Sequence, residues 1–342
     1  MSADKSLREA VRQNLGNWLK KLDCGGDVEK QLAFKKRLIA KLKSSPVIAI
    51  ETTTANQQHY EVPTEFYKAC LGKRLKYSSC FWPPGTQTLE QAEDAGLKQI
   101  CERAQLQDGQ RVLDLGCGWG SLGLYICEKF PNCQVTCVSN SRTQREHIQR
   151  EAEKRGFGRR LQAITCDANV YNTETRFDRV ISIEMMEHMK NLEKLLERVA
   201  SWLKPDGLLL TQILCHRSFP YEFDVRKGSD TEWMARNFFS GGTMQSADLF
   251  LYFQKDLQVI DQWIMNGKHY TKTLEAWLER LDQNIDTVKS ILKETYDSEA
   301  DQNLFNWRMF FMFTAEVFGY KDGNEWLLAF HLFRKRPVQS ML

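Results

Sequence analysis

The sequence has no apolar run long enough to cross a bilayer, and it has no CxxC pair or histidine cluster at metal-ligand spacing. It therefore predicts neither an integral membrane segment nor a metal site. Its ten cysteines are scattered singly, mostly in strand-like apolar contexts, which is typical of reduced thiols in a cytoplasmic protein. The beginning of the chain lacks the continuous apolar core of a signal peptide, so we expect an unprocessed amino terminus.

Charge of one sign is not in excess over the chain as a whole. Lysine and arginine (47) nearly balance aspartate and glutamate (44), which gives a formal net charge of +3. This balance argues against nucleic acid as a partner. The basic residues are concentrated at the beginning, where residues 1–45 hold eleven lysines and arginines but five acids.

Apolar residues in this basic segment recur at intervals of three and four, as in Leu7, Val11 and Leu15. The spacing predicts two or three amphipathic helices. A basic amphipathic helix can pack one face against the protein body or lie on a membrane surface. The first arrangement is commoner, but the sequence leaves both open.

From about residue 88 onward, short β-branched runs alternate with segments of helical periodicity. The strand-like runs cover 111–117, 133–139, 161–167, 177–184 and 207–215. This alternation predicts an α/β fold with a parallel sheet, and in such sheets the ligand lies beyond the carboxyl ends of the strands. The last apolar run, WLLAFHLFRKR, predicts an edge strand.

Changes of pattern along the chain divide it into four predicted regions. Residues 1–87 form a helical extension that covers the active site, and residues 88–216 form the nucleotide-binding core. The aromatic, loop-rich residues 217–300 form a cap that closes over a small substrate. Residues 301–342 supply the final strands of the sheet.

The sharpest local signal is the glycine-rich stretch VLDLGCGWG at residues 112–120. Glycines after a strand let the backbone turn tightly and approach a ligand. Gly118, Gly120 and Gly123 also satisfy the GxGxxG dinucleotide pattern. However, a dinucleotide site needs an acid at the end of the next strand, and this chain has Asn140 there.

Asp114 followed by GxGxG resembles the first motif of the class I S-adenosylmethionine-dependent methyltransferases. Together with SNSRTQ, QQHYEVPTEFY and LKYSSCFW, it is similar to the cyclopropane fatty acid synthase-like methyltransferases, which include the plant coclaurine N-methyltransferases. The similarity runs from about residue 56 to 336. It implies a Rossmann-like parallel sheet with an antiparallel edge strand, a helical N-terminal extension and an inserted cap. It also implies S-adenosyl-L-methionine as cofactor, S-adenosyl-L-homocysteine as product, and no metal.

The resemblance implies nine cofactor-binding residues. Tyr77 and Ser78 would hold the methionine end, with Gly116 and Gly118 beneath it, and Asp114 is the acid that precedes these glycines. Asn140 and Gln144 would take the ribose hydroxyls, and Asp167 and Ala168 would face the adenine. An amide or carboxylate oxygen suits these places because it accepts hydrogen bonds from hydroxyl and amino groups. A helix cap at Asn140 and a solvated helix position at Gln144 are the structural alternatives.

The fourth predicted strand ends in ISIEMMEHMK, which presents Glu184, Glu187 and His188 together. Such groups are costly to desolvate without a task or a partner. The resemblance implies lipid chemistry where glycine stands in place of Glu184, and amine chemistry where an acid does. An amine must lose its proton before it attacks a methyl group, and Glu187 and His188 are suited to remove it. A second carboxylate raises the proton affinity of the first.

The predicted function is methyl transfer to the nitrogen of a small cyclic or aromatic-bearing amine. The candidate substrate-binding residues are Tyr60, Glu61, Phe238, Phe239 and Trp326. Their aromatic faces can contact a cation, although each aromatic can equally belong to the core. Lipid methylation and a non-catalytic cofactor-binding scaffold are the alternative functions, and a homodimer is left open.

Overall fold

The computed structural model describes residues 2–50 and 62–337 of the chain. Its centre is a sheet built from the β-branched runs. The strands are β1 (Arg111–Leu115), β2 (Gln134–Ser139), β3 (Leu161–Thr165), β4 (Phe177–Ile183), β5 (Leu203–His216), β6 (Tyr221–Glu222), β7 (Thr243–Ser246), β8 (Leu257–Met265) and β9 (Trp326–Lys335).

Helices flank the sheet and follow the predicted periodicity in most places. They are α1 (Ser2–Leu22), α2 (Val28–Ser44), α3 (Thr64–Cys70), α4 (Leu89–Arg103), α5 (Ser121–Lys129), α6 (Arg142–Lys154), α7 (Leu192–Trp202), α8 (Glu232–Asn237), α9 (Lys268–Gln283), α10 (Ile285–Tyr296) and α11 (Ala300–Gly319). In residues 2–50 and 62–337, no helix is both long and apolar enough to cross a membrane.

The strands run in the order β3-β2-β1-β4-β5, and each neighbouring pair of these five is parallel. The predicted α/β fold with a parallel sheet is therefore confirmed. The antiparallel strand β9 follows β5 but is not at the edge, because β8 pairs with its other side. The burial of Trp326–Phe333 at every position is typical of an interior strand, whereas β8 is half exposed.

The short strand β7 lies beyond the end of β4, on the same side of β5. The pairing of β4 with β5 stops at Ile183 and Gln212, and β7 pairs with the next part of β5, at Cys215 and His216. Since β9 occupies the opposite edge of β5 at these positions, β7 lies directly beyond the tip of β4. The residues after β4 are therefore covered by the cap.

The basic N-terminal segment forms two helices that pack on the body of the protein, as one of the two interpretations predicted. In α1, Leu15 and Leu19 are buried, and Arg8 forms ion pairs with Glu275 of α9 and Glu316 of α11. In α2, Lys35, Lys41 and Lys43 pair with the acids Asp248, Glu222 and Glu193. The local excess of positive charge is thus met by acids of the core and the cap.

The described part of the predicted C-terminal strand region, residues 301–337, differs from the prediction, because α11 occupies it up to Gly319 and a single strand, β9, follows there. Buried side chains recur along α11 at helical spacing, as at Trp307, Phe311 and Phe318. A helix that is apolar on most sides is buried on most sides. Consequently this region forms a helix that packs against α9 and α10 rather than a strand of the sheet.

Candidate active site

Two cavities meet at the tip of β4. The first consists of two adjoining hollows that share Gly116, Gly118 and Glu184 in their walls, and we call them together the glycine-loop cavity. It is lined by all nine predicted cofactor residues: Tyr77, Ser78, Asp114, Gly116, Gly118, Asn140, Gln144, Asp167 and Ala168. The structure therefore brings these residues together, and their individual contacts to a cofactor stay predictions.

The backbone of the glycine loop requires its glycines. Gly116, Gly118 and Gly120 have positive φ angles of 81°, 52° and 77°, a region that other residues adopt at a cost. A Cβ atom on Gly116 would lie 2.7 Å from the Sδ of Met185, whereas nothing lies within 4 Å of one on Gly118. The open space at Gly118 belongs to the cavity, so a ligand can approach the bare backbone there.

Three buried polar atoms of residues that line this cavity lack a protein partner within the described part of the chain: Asp114 Oδ2, Trp119 Nε1 and Gln144 Nε2. Burial raises the pKa of Asp114 to about 7, although the Gly123 N–H opposes the shift. The Ser139 hydroxyl donates to Gln144 Oε1 over 2.6 Å. Gln144 thus presents an N–H donor to the cavity instead of the predicted oxygen acceptor, and a ribose hydroxyl can accept from it.

Residues 48–50 follow the N-terminal helices and contribute to one wall of this cavity, and we call them the strap. Ala49 and Ile50 line the cavity, and their position was not predicted from the sequence. The side chain of Asn169 accepts from the N–H groups of Ile48 and Ala49 at 2.9 and 3.0 Å, and donates to the Ala49 carbonyl at 3.0 Å. Asn169 follows Asp167 by two residues, so the strap is tied to the end of β3.

Glu184 lies on the glycine-loop side of the β4 tip in a left-handed backbone conformation, with φ 52°. Its Oε1 accepts from the Ser79 N–H at 2.9 Å and from the Gln212 side-chain amide at 2.7 Å. Burial raises the pKa of Glu184, and the nearby Lys76 ammonium opposes that shift. Glu184 therefore connects β4 and β5 to the turn that carries Tyr77.

Glu187 faces the other cavity, and only 1% of its surface is exposed. The Leu214 N–H donates to its Oε1 over 2.5 Å, while its Oε2 is buried and has no partner in the described structure. Burial is the larger cause that raises the pKa of Glu187 to about 8, and the charge of Glu184 is the second. The charge of Glu184 raises the pKa of Glu187 as predicted, but its effect is smaller than that of burial.

His188 lies at the boundary between the two cavities. It lines the glycine-loop cavity, and its ring stands 4.6 Å from the ring of Phe239 at an angle of 32°. Phe239 in turn lines the second cavity. His188 and Phe239 therefore lie where the two cavities approach each other.

The second cavity, which we call the aromatic cavity, encloses about 340 Å³, a volume suited to a small organic molecule. Beside Glu187 and Phe239, it is lined by Val11, Leu15 and Trp18 of α1, Tyr221, Phe223, Thr243 and Met244 of the cap, Tyr270 of α9, and Phe310, Phe313, Thr314, Val317 and Phe318 of α11. The walls from α1 and α11 were not predicted, because periodicity shows which face of a helix is apolar but not what it encloses.

The other predicted substrate residues occupy different places. Phe238 lies behind the cavity wall and stacks on Phe310 at 4.4 Å. Trp326 is fully buried outside the cavity lining, and its indole N–H donates to the Tyr221 hydroxyl at 3.0 Å. Tyr60 and Glu61 lie outside the described residues. No group of three His, Cys, Asp or Glu side chains suited to a metal ion occurs in residues 2–50 and 62–337.

Comparison with known proteins gives the same result from three directions. A family model described as mycolic acid cyclopropane synthetase matches residues 49–321. (S)-coclaurine N-methyltransferase of Thalictrum flavum subsp. glaucum is 38% identical over 338 residues, which cover 97% of this chain and 92% of that protein. Cyclopropane-fatty-acyl-phospholipid synthase of Escherichia coli (strain K12) is 30% identical over 226 residues, which cover 66% of this chain and 55% of that protein.

A solved structure extends the comparison to the fold. The crystal structure of a coclaurine N-methyltransferase bound to N-methylheliamine and SAH matches with a TM-score of 0.91 and 37% identity, over 97% of this chain and 95% of that chain. The predicted resemblance is thereby confirmed, and the similarity to the amine enzymes covers more of the chain than the similarity to the lipid enzyme. The chain belongs to the mycolic acid cyclopropane synthetase family.

Proposed function

We propose that the protein is an S-adenosylmethionine-dependent N-methyltransferase whose substrate is a small amine with a cyclic or aromatic skeleton. The observation that carries this function is Glu187, a buried glutamate that lines an aromatic cavity and whose Oε2 has no partner in the described structure. A buried carboxylate oxygen without a partner is costly. A cationic amine in the cavity would supply the missing partner.

The glycine-loop cavity fits the cofactor. Its glycine backbone leaves open space beside Gly118, and the unpartnered Gln144 Nε2 provides a donor for a hydroxyl group. When bound there, S-adenosylmethionine supplies a methyl group on a positively charged sulfur. The solved coclaurine N-methyltransferase holds SAH, the demethylated form of this cofactor.

Glu187 can hold an ammonium ion and then take its proton. The approach of a cation favours the ionised carboxylate, and this attraction draws the amine to the inner end of the cavity. Because burial raises the pKa of Glu187 to about 8, the carboxylate also accepts a proton readily. Burial favours the neutral amine and neutral acid over the charged pair, so proton transfer leaves a nucleophilic free base.

The remaining side chains orient the amine and exclude water. His188 stands beside Glu187 at the boundary of the two cavities, where it can act as a second proton acceptor. Phe239 and the aromatic residues of α11 present faces that attract a cation and cover the substrate. Holding the nitrogen in line with the methyl group supplies much of the rate enhancement.

Incubation with deuterium-labelled S-adenosylmethionine and a panel of amines tests this function. We expect mass spectrometry to detect one labelled methyl group on aryl-bearing primary or secondary amines, with one equivalent of S-adenosylhomocysteine formed. A parallel arm contains phospholipids with unsaturated acyl chains. Label in the lipid arm alone, or in no amine, would overturn the proposal.

The proposed location is the cytoplasm. All ten cysteines are unpaired, and eight of them are buried, which is typical of a reducing compartment. Fractionation of cells that express the protein, followed by detection with an antibody, measures this directly. Recovery in a disulfide-forming compartment would contradict it.

A further inference from the structure

Lys76 is a charged side chain that is buried beside the glycine-loop cavity. Only 1% of its surface is exposed, and it lines the same hollow as Tyr77, Ser78 and Asp114. Its ammonium donates to the Ser78 hydroxyl at 2.7 Å and to the Ser79 carbonyl at 2.5 Å, and it forms no ion pair with the described residues. The desolvation of an ammonium is costly, so a lysine in this place calls for a reason.

The surrounding structure fixes the position of this lysine. The carboxylate of Glu93, which is fully buried on α4, accepts from the N–H groups of Arg74 and Lys76 at 2.8 and 3.3 Å. Gly96, three residues later, faces the stem of Lys76, and a Cβ atom there would lie 3.5 Å from the lysine Cε. Burial raises the pKa of Glu93 to about 7, and the charge of Lys76 is among the causes that oppose the shift.

Lys76 determines how the Ser78 hydroxyl can act. An ammonium only donates, whereas a hydroxyl has one proton and two lone pairs. The Ser78 oxygen therefore accepts from Lys76, and its own proton has no acceptor among the described residues. A hydroxyl that accepts from a cation is polarised and becomes a stronger donor. Since Ser78 lines the glycine-loop cavity, this proton is available to a ligand there.

The same hollow contains groups that match an amino acid. The buried N–H of Trp119 lacks an acceptor in the described structure, and Asp114 Oδ2 lacks a donor. Ser78 and Trp119 thus offer donors for a carboxylate, and Asp114 offers an acceptor for an ammonium. Hydrogen bonds to an ionised acceptor are roughly twice as strong as those between neutral groups. The cofactor of the proposed function carries both charged groups at its methionine end.

We propose that Lys76 is a positioning residue that orients the Ser78 hydroxyl as the donor for the carboxylate of S-adenosylmethionine. The inference rests on the proposed function and adds a residue that the sequence did not single out. The turn that Lys76 holds also reaches the β4 tip, because the Ser79 N–H donates to Glu184 at 2.9 Å. Lys76 therefore acts on the cofactor side of that tip.

Two ligands that differ only in the carboxylate test the proposal. S-adenosylhomocysteine carries this group, whereas its decarboxylated analogue keeps the ammonium, the sulfur and the nucleoside. We expect calorimetry on the wild type to show about tenfold or more tighter binding of S-adenosylhomocysteine. Lys76→Met keeps the length of the side chain and removes its charge and its donors. Its affinity for S-adenosylhomocysteine should fall about tenfold, while that for the analogue stays within about twofold of the wild type.

A double variant tests whether Lys76 acts through Ser78. Ser78→Ala removes the proposed donor and should also weaken S-adenosylhomocysteine binding about tenfold. The variant with both changes should lose little more than either single variant, because the two residues form one unit. Lys204→Met is the matched control, since Lys204 pairs with Asp178 outside both cavities. It should keep the wild-type ratio of the two affinities.

The possible results separate this inference from the proposed function. Equal losses of affinity for both ligands in Lys76→Met would show that the lysine only supports the fold, and would overturn its role. Losses that multiply in the double variant would also overturn it, because Lys76 would then act independently of Ser78. Methylation of amines by the wild type would leave the proposed function standing in both cases. A wild type that binds no S-adenosylhomocysteine would refute the proposed function and this inference together.

Discussion

The glycine-loop cavity and the aromatic cavity share the tip of β4, but they are built in different ways. Most of the glycine-loop cavity comes from residues at the carboxyl ends of β1, β2, β3 and β4 and the loops that follow them. The aromatic cavity is assembled from α1, the cap, α9 and α11, which are far apart in the chain. The first site is therefore determined by local geometry at one sheet edge, and the second by packing between remote segments.

The two acids of the β4 tip show the same difference. Glu184 accepts two hydrogen bonds and faces the glycine-loop cavity. Glu187, three residues later, lines the aromatic cavity, and its Oε2 has no partner in the described structure. Glu184 follows β4 directly, whereas Glu187 lies within the turn of 3₁₀ helix at Met186–His188. A change at Glu187 should therefore affect the amine and spare the cofactor.

The largest expected effect comes from Glu187→Gln. Glutamine keeps the size of the side chain and can still accept from the Leu214 N–H, but it neither attracts a cation nor takes its proton. We expect kcat/KM for the amine to fall by roughly 100- to 1000-fold. Calorimetry should show an affinity for S-adenosylhomocysteine within about threefold of the wild type, because the change lies outside the glycine-loop cavity.

A glutamate remote from both cavities provides the control for this variant. Glu197→Gln removes an exposed acid on α7 and should leave kcat/KM unchanged. Full activity of Glu187→Gln would show that the base has been assigned to the wrong residue. Loss of cofactor affinity in the same variant would show that the two cavities are coupled more tightly than their geometry indicates.

The second prediction concerns the glycine loop. Gly116 has a φ of 81°, and a Cβ atom there would overlap the side chain of Met185. Gly109 has a similar φ of 84° but nothing within 4 Å of the same position. We expect Gly116→Ala to weaken S-adenosylhomocysteine binding about tenfold or more. Both variants should lose about 1 kcal/mol of folding stability from the left-handed backbone.

The matched glycine separates strain from overlap. Binding of S-adenosylhomocysteine to Gly109→Ala should stay within about twofold of the wild type, since Gly109 is not part of either cavity. Equal losses of affinity in the two variants would mean that backbone strain alone controls the loop. Calorimetry at one temperature is sufficient for the comparison.

The third prediction uses the raised pKa of Glu187. The folded protein keeps this proton up to a pH of about 8, whereas an ordinary glutamate releases it near 4.5. Between these values the unfolded chain binds fewer protons than the folded one, so the free energy of unfolding falls as pH rises. Glu187→Gln lacks this contribution. Its stability relative to the wild type should increase between pH 5 and pH 8 by on the order of 2 kcal/mol.

Urea denaturation of the ligand-free proteins at several pH values measures this difference. Groups other than Glu187 titrate in both proteins and largely cancel when one curve is subtracted from the other. A difference that does not change with pH would place the carboxyl of Glu187 in a more solvated environment. A decrease toward high pH would contradict the direction of the pKa shift.

The smallest expected effect is at the strap above the cofactor. Asn169→Ala removes three hydrogen bonds to the backbone of Ile48 and Ala49, each with a net value of about 1 kcal/mol or less. We expect the KM for S-adenosylmethionine to rise roughly three- to tenfold. Steady-state kinetics should show little change in the KM for the amine.

Asn132 provides the control for the strap variant, because it hydrogen-bonds to Asp108 in a surface turn. Asn132→Ala should change neither KM. If Asn169→Ala raised the KM of the amine more than that of the cofactor, the strap would belong functionally to the aromatic cavity.

Much of the glycine-loop cavity could be predicted because its residues follow strands that are visible in the sequence. A parallel sheet brings the ends of its strands to one edge, so Asn140 and Asp167 were expected to be neighbours. The strap at Ala49 was not predicted, since its position depends on the hydrogen bonds of Asn169. The donor at Gln144 was also not predicted, because the Ser139 hydroxyl determines how the amide is oriented.

The aromatic cavity was predicted only in outline. Phe239 reaches it, but Phe238 is directed behind the wall and Trp326 supports Tyr221 instead of lining the cavity. Adjacent residues such as Phe238 and Phe239 have the same chemistry, and the sequence does not say which one faces inward. The contribution of α11 was unexpected, because its region was assigned to strands.

The sequence by itself determined the parallel sheet, the glycine loop and the acidic tip of β4, because each depends on residues close together in the chain. Only the tertiary structure decided that Glu184 and Glu187 face different cavities. It also decided which aromatic residues enclose the substrate side and which N–H and O–H groups are left without acceptors. Those properties arise when α1, the cap and α11 pack together, and the resulting burial raises the pKa of Glu187.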